Sequence, residues 1–251
     1  DDPDLARLAR SFNEMADAVQ TRIEREARFA SDVSHELRTP LTATLGWTRL
    51  LRTGHLDPSR TTRAIEAIER SALTQTRLVN DLLDISRIIA GRLQLDRQPL
   101  VLADPIHAGI DEVRPAAERK GLTIDVDLAT DVHVRGDAVR LQQIISNLVT
   151  NAIKFTATGG RILVRLARTE DGSAEISVTD TGVGISPEFL PFVFDRFRQA
   201  DSGTTRRYGG TGLGLSITQR LVNLMQGDIV VDTAAGIGTT FRVNLWLRDG
   251  T

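Results

Sequence analysis

The spacing of apolar residues changes once along this chain, and that change limits what it can fold into. Leu5, Leu8, Phe12, Met15, Val19 and Ile23 recur at intervals of three and four, the seam of a bundle helix. The pattern resumes through Ala30, Val33, Leu37, Leu41 and Leu45 and ends near Gly54, a residue suited to the left-handed turn that closes a helix. Asp57 then fits an N-cap and Pro58 the first helical position of a second helix running to Ile89. Its stripe is Ile65, Ile68, Ala72, Val79, Leu82, Leu83 and Ser86, with Gly91 as a hinge. A helix of about fifty residues is ~75 Å long. A hairpin of that kind cannot bury its stripe alone, so a symmetric dimer closing a four-helix bundle is expected.

From about Leu93 apolar residues alternate instead. Strands are expected at Leu122–Leu128, Arg161–Ala167, Glu175–Thr179, Asp228–Asp232 and Thr239–Leu247. Helices are expected at Pro105–Arg119, with Asp104 capping, at Ala138–Phe155 and at Leu213–Met225. Helices interleaved with strands in this order imply a two-layer α/β sandwich. The expected fold class is therefore a helical hairpin followed by an α/β domain.

Composition excludes several functions. At 251 residues with 41% apolar content, the chain suits two modest domains with real cores. Aromatics at 4% and a net charge of −2 argue against a nucleic-acid partner. There is no cysteine, which rules out disulfides and thiolate metal sites and fits a reducing compartment. No apolar run approaches the ~18–20 residues that cross a bilayer. The chain opens at Asp1 without an initiator Met, as expected of a piece of a longer protein.

In the helical half, one histidine stands out. Alone, His35 would read as a bundle-surface residue. Its neighbours in SDVSHELRTPL change that. Pro40 cannot donate to the carbonyl of Glu36 and should bend the helix just past the histidine. A neutral imidazole keeps a lone pair free for attack on phosphorus. Glu36 can accept a hydrogen bond from the other ring nitrogen and stabilise the charge that grows during attack, and Thr39, one turn on, can hold a water for the reverse hydrolysis. A zinc reading fails, because no second histidine follows four residues later.

The α/β half carries NLVTNAIKF, DTGVGI, FVFDRF and GGTGLGL. Asn147, Asn151 and Lys154 share one helical face. The Asn151 oxygen suits Mg²⁺, and Lys154 suits phosphate. Asp180 ends a strand just before Gly182 and Gly184. There it can accept from an adenine amino group, or simply form an Asp-Thr-Gly turn. Gly210, Gly212, Leu213 and Gly214 open a helix whose first amides can face phosphate. The stretch has neither the Lys-Ser/Thr of a P-loop nor a Rossmann position. Residues 198–208, RQADSGTTRRY, have the polarity of a lid anchored by Phe192, Phe194 and Phe197, and Thr239 lies on the adenine side.

SHELRTPL resembles the phosphoacceptor box of the sensor histidine kinases of two-component systems, and the later stretches resemble that family's N, G1, F, G2 and G3 boxes in order. The resemblance implies a Bergerat-type ATP-binding domain behind a dimerisation and phosphotransfer hairpin. It implies ATP and Mg²⁺ as cosubstrate and metal, a homodimer, and a response-regulator receiver domain as partner. His35 becomes the phosphoacceptor, Glu36 its acid–base partner and Thr39 the phosphatase residue. Related ATPases carry Glu four residues before the metal-binding Asn. This chain has Asn147 there, so ATP should persist until a histidine meets it.

The implied domains are a signal helix over 1–22, the hairpin over 23–92 and the catalytic domain over 93–251. LARLARSFNEMADAV (5–19) resembles the closing helix of a HAMP relay or, equally, a plain coiled-coil extension. A HAMP relay would make this the cytoplasmic portion of a parent anchored in the bacterial inner membrane through a missing upstream segment. Two rival functions are an ATPase of the same fold whose helices only dimerise, and a silent signalling scaffold.

Overall fold

The computed structural model describes residues 20, 30–54, 56–170, 172–198 and 211–246. These fall into two compact units that divide between Leu82 and Leu83. The HAMP-like stretch lies outside the described residues.

In the first unit, helix α1 covers residues 30–52 and continues through Pro40 without interruption. Gly54, at φ 69°, closes it. The Asp57 carboxylate accepts from the Arg60 amide at 2.8 Å, capping helix α2 (Pro58–Ile89) as its sequence foretells. Within one chain α2 buries Ala64 and Leu78, while Leu41, Leu45, Ile65, Leu73 and Val79 stay exposed. Of the expected stripe, Ile65 keeps 55% of its surface and Val79 45%, so the chain itself does not cover it.

The second unit is a two-layer α/β sandwich. Its elements are β1 (Gln98–Val101), α3 (Ala103–Arg119), β2 (Thr123–Leu128), β3 (His133–Gly136), α4 (Ala138–Phe155), β4 (Arg161–Arg168), β5 (Ser173–Asp180), α5 (Gly214–Leu224), β6 (Asp228–Ala234) and β7 (Gly238–Trp246). The main sheet has the order β2-β4-β5-β7-β6, with only the β2–β4 pair parallel. Strand alternation sends Ile162, Val164, Leu166, Ile176, Val178, Phe241 and Val243 inward. There they meet Ile106 and Ile110 of α3, Ile144, Ile145 and Leu148 of α4, and Ile217 and Leu221 of α5, all buried. The outer face is polar and held by cross-strand ion pairs, Arg161–Asp125 and Arg165–Asp127, each at 3.0 Å.

One expected helix cap needs correction. Leu102, not Asp104, is the N-cap of α3, with no side-chain cap bond; Asp104 lies in the first turn, where its charge still suits the helix dipole. Strands β1 and β3 pair with each other in a small antiparallel sheet that alternation does not reveal.

Candidate functional site

The acceptor side belongs to α1. His35 is exposed and Glu36 half-buried, with Pro40 buried just beyond. The Thr39 hydroxyl donates back to the His35 carbonyl at 3.3 Å, which places it on the histidine face one turn on. Burial, chiefly, and the Asp32 carboxylate one turn earlier raise the Glu36 carboxyl above its ordinary range, against a smaller opposing pull from His35. A carboxylate held this way is a readier proton acceptor than a free one.

The donor side is built on α4. Asp137 caps the helix, accepting from the Arg140 amide at 3.1 Å. Leu141, Ile144, Ile145, Leu148 and Val149 bury one face, which turns Asn147, Asn151 and Lys154 to the other. The Asn147 side chain points Nδ2 at the Gly214 carbonyl (3.4 Å) and the Thr218 hydroxyl (3.5 Å), tying α4 to the start of α5. Burial lowers the Lys154 ammonium below its ordinary value, and its Nζ lies 4.6 Å from the Phe155 ring centroid. Lys120 donates to the Lys154 carbonyl at 2.9 Å and so closes the far end of α4.

Asp180 is 7% exposed at the end of β5. Desolvation raises its carboxyl, while backbone bonds from Gly182 (2.8 Å) and Thr239 hold it down in part. Gly184, at φ 70°, packs so tightly on the Ala234 carbonyl that a Cβ would overlap it. Gly238 at φ 143° does the same on the Asp180 carbonyl. Gly182 alone packs on the Asp180 carboxylate itself and leaves no room for a Cβ there. The Val183 amide also donates to the Phe155 carbonyl (3.3 Å), joining this loop to the end of α4.

Gly212, at φ 65°, accepts from the Phe197 amide at 3.0 Å. Leu213 is buried as the N-cap of α5, and Gly214 is its first residue. Gly210 and most of the lid stretch lie outside the described residues. Thr239 is buried, its hydroxyl 3.1 Å from that of Thr233. Of the three phenylalanines, Phe194 packs edge-on to Phe241 (6.4 Å between centroids). Phe192 is not an apolar anchor: it is 38% exposed and covered by the Arg198 guanidinium at 4.3 Å. Sequence reasoning misses Gly238 and Lys120. The first is legible as the glycine before the Thr-Thr pair, whereas the second has no local signal.

Two family descriptions match the chain. "His Kinase A (phospho-acceptor) domain" covers residues 25–91, and "Histidine kinase-, DNA gyrase B-, and HSP90-like ATPase" covers 136–249. The mycobacterial sensor histidine kinase MprB is 31% identical at a TM-score of 0.53, over 61% of this chain and 98% of that one. The chain belongs to the sensor histidine kinases. Among curated relatives, the signal transduction histidine-protein kinase BarA of Escherichia coli K12 is 41% identical over 92% of this chain. The chain spans about a quarter, 26%, of BarA's length. The solved structure of ShkA in complex with AMPPNP is 29% identical, with a TM-score of 0.66 over 88% of this chain and 46% of that one. The two-component kinase core, an acceptor hairpin followed by a sandwich of the ATP-using class, is thereby established for this chain. Among the described residues no helix is long and apolar enough to cross a membrane.

Proposed function

We propose that this chain is an ATP-dependent protein-histidine kinase that phosphorylates its own His35 and passes the phosphoryl group to an aspartate of a response-regulator receiver domain. The observation that carries the reading is an exposed imidazole beside a carboxylate of raised proton affinity, in the same chain as a buried, glycine-backed Asp180.

Asp180 would accept from the exocyclic amine of adenine, with Gly182, Gly184 and Thr239 admitting the ring against backbone. The Gly212–Gly214 turn and Lys154 would face the phosphates. The chemical nature of the donor set fits Mg²⁺: a neutral Asn151 oxygen supplies one hard ligand and leaves phosphate oxygens and water to complete the shell. Bound there, the ion would neutralise charge on the transferring group. The free ring nitrogen of His35 attacks the γ-phosphorus in line. The bond from that phosphorus to the bridging oxygen breaks, and ADP leaves. The proton on the other ring nitrogen passes to Glu36. Asn147, which cannot take a proton, stands where the related ATPases carry a water-activating Glu, and that favours transfer over hydrolysis.

Thr39 would hold the water for dephosphorylation. The exposed Leu41, Leu45, Ile65, Leu73 and Val79 support a homodimer closed as a four-helix bundle. Residues 23–92 would form the dimerisation and phosphotransfer part, 93–251 the catalytic part and 1–22 a signal helix. Use of ATP supports a cytoplasmic location for the core. Incubation with γ-labelled ATP, Mg²⁺ and a receiver domain tests the reading. Acid-labile label should appear on the kinase and then move to the receiver. Phosphate release with no labelled kinase at any time would refute it.

A further inference from the structure

Helix α4 carries one polar stripe along its length: Arg140, Gln143, Asn147, Asn151 and Lys154. The upper three residues are those proposed to meet the nucleotide. The lower two are occupied by a residue that no motif singles out. Asp84, in the last turns of α2 and within the second unit, accepts from Arg140 Nη1 at 2.7 Å and from Gln143 Nε2 at 2.9 Å. Arg140 Nη1 also donates to Gln143 Oε1 at 2.8 Å, so the three side chains form a closed triangle. The side chains of Asp84 and Arg140 keep only 9% and 18% of their surface. The segment that follows α2 holds the same helices. The Asp96 amide donates to the Asp137 cap of α4 at 3.1 Å, and Arg97 donates to the Leu224 carbonyl at the end of α5 at 3.0 Å.

A buried ion pair is a poor device for stability alone, because desolvating both charges offsets most of their attraction and a well-packed apolar pair can do as well. What it adds is direction. Burial of Ile144, Ile145 and Leu148 holds α4 on the sheet but is not directional, so it leaves the fine placement of the helix open. Three hydrogen bonds at one point on the opposite stripe fix that placement.

We propose that Asp84 is a positioning residue for phosphoryl transfer: through Arg140 and Gln143 it sets the register of α4, and so the placement of Asn147, Asn151 and Lys154 on the nucleotide. This inference rests on the nucleotide reading of the proposed function. Misplacement on the ångström scale lowers transfer rates by up to roughly a hundredfold.

The test compares the full chain with Asp84→Asn and with the apolar pair Asp84→Leu/Arg140→Met. Each is assayed for melting temperature, for affinity for Mg²⁺ with a non-hydrolysable ATP analogue, and for the initial rate of His35 labelling. Positioning predicts that the apolar pair melts near the parent temperature yet labels about tenfold or more slowly. Asp84→Asn should be slow as well, and Asp84→Glu should recover part of the rate. If the apolar pair melts and labels like the parent, the cluster only holds the fold and the inference fails. If Asp84→Asn melts lower while labelling at the parental rate, it fails equally. A parent chain that binds no nucleotide would overturn the function reading itself, which separates the two failures.

Discussion

The hairpin and the sandwich place their chemistry in opposite ways. On α1 the His35 imidazole, the proposed acceptor, is exposed, and Leu41 and Leu45 are left uncovered. In the sandwich the core is closed, and the key carboxylate, Asp180, is almost fully buried. A phosphoacceptor has to be approached by two different partners in turn, a nucleotide and a receiver, so it gains from exposure. A base reader has to discriminate, and discrimination needs a site whose polar group is costly to leave unpaired. The contrast is therefore one of accessibility against selectivity, and it can be broken from either side.

The largest effect expected is on the exposed side. His35→Gln should abolish labelling altogether while leaving affinity for an ATP analogue unchanged by calorimetry. Loss of both together would mean that the two regions are not separable as described. Next comes Asp180→Asn, which should weaken nucleotide binding by roughly ten- to a hundredfold, the range for a hydrogen bond to a charged group. The same variant should not lower stability at neutral pH. Burial raises the Asp180 carboxyl, so the folded state binds its proton more tightly than the unfolded state does. That contribution to stability is complete below the ordinary carboxylate value and is lost as pH rises through the raised one. Removing the ionisable group should make the melting temperature less dependent on pH across that window. A steeper dependence would contradict the assigned burial.

A third, intermediate effect concerns the uncovered stripe. Leu73→Asp costs little within one chain, where Leu73 is exposed, but should shift a dimer towards monomer in analytical ultracentrifugation with nucleotide affinity intact. An unchanged sedimentation profile would show that this stripe is not the interface. The smallest effect is Asp32→Asn. Asp32 helps, after burial, to raise Glu36, so its neutralisation should move the acidic limb of the labelling rate to lower pH. A shift to higher pH would rule out Glu36 as the proton acceptor.

Much of the fold and of the site is legible in the amino-acid sequence alone. The change from helical to alternating spacing at Leu93 separates the two architectures, and Asp57 and Gly54 bound the helices as their chemistry suggests. Strands β4, β5 and β7 of the main sheet follow from alternation because each has one buried face. Strands β1 and β3 do not, since each has only four residues and too few turns of the pattern to register. Asn147, Asn151 and Lys154 can be placed on one face from helical period alone. What escapes are pairings distant in sequence: Asp84 with Arg140, and Lys120 with the end of α4. No local pattern encodes so distant a partner, and only the fold brings such groups together. Phe192 departs from its expected anchoring role because an aromatic in a turn can be sheathed by a cation as readily as by a core.

The central claim is that a phosphorus atom leaves a bound nucleotide for the ring at position 35. Mass spectrometry of the intact chain after brief incubation with ATP and Mg²⁺, under alkaline conditions that preserve phosphoramidates, measures this directly. The account predicts one added phosphoryl group, mapped to His35 and lost on acid treatment. An unmodified His35 in a preparation that binds nucleotide, or an acid-stable phosphate elsewhere, would contradict it.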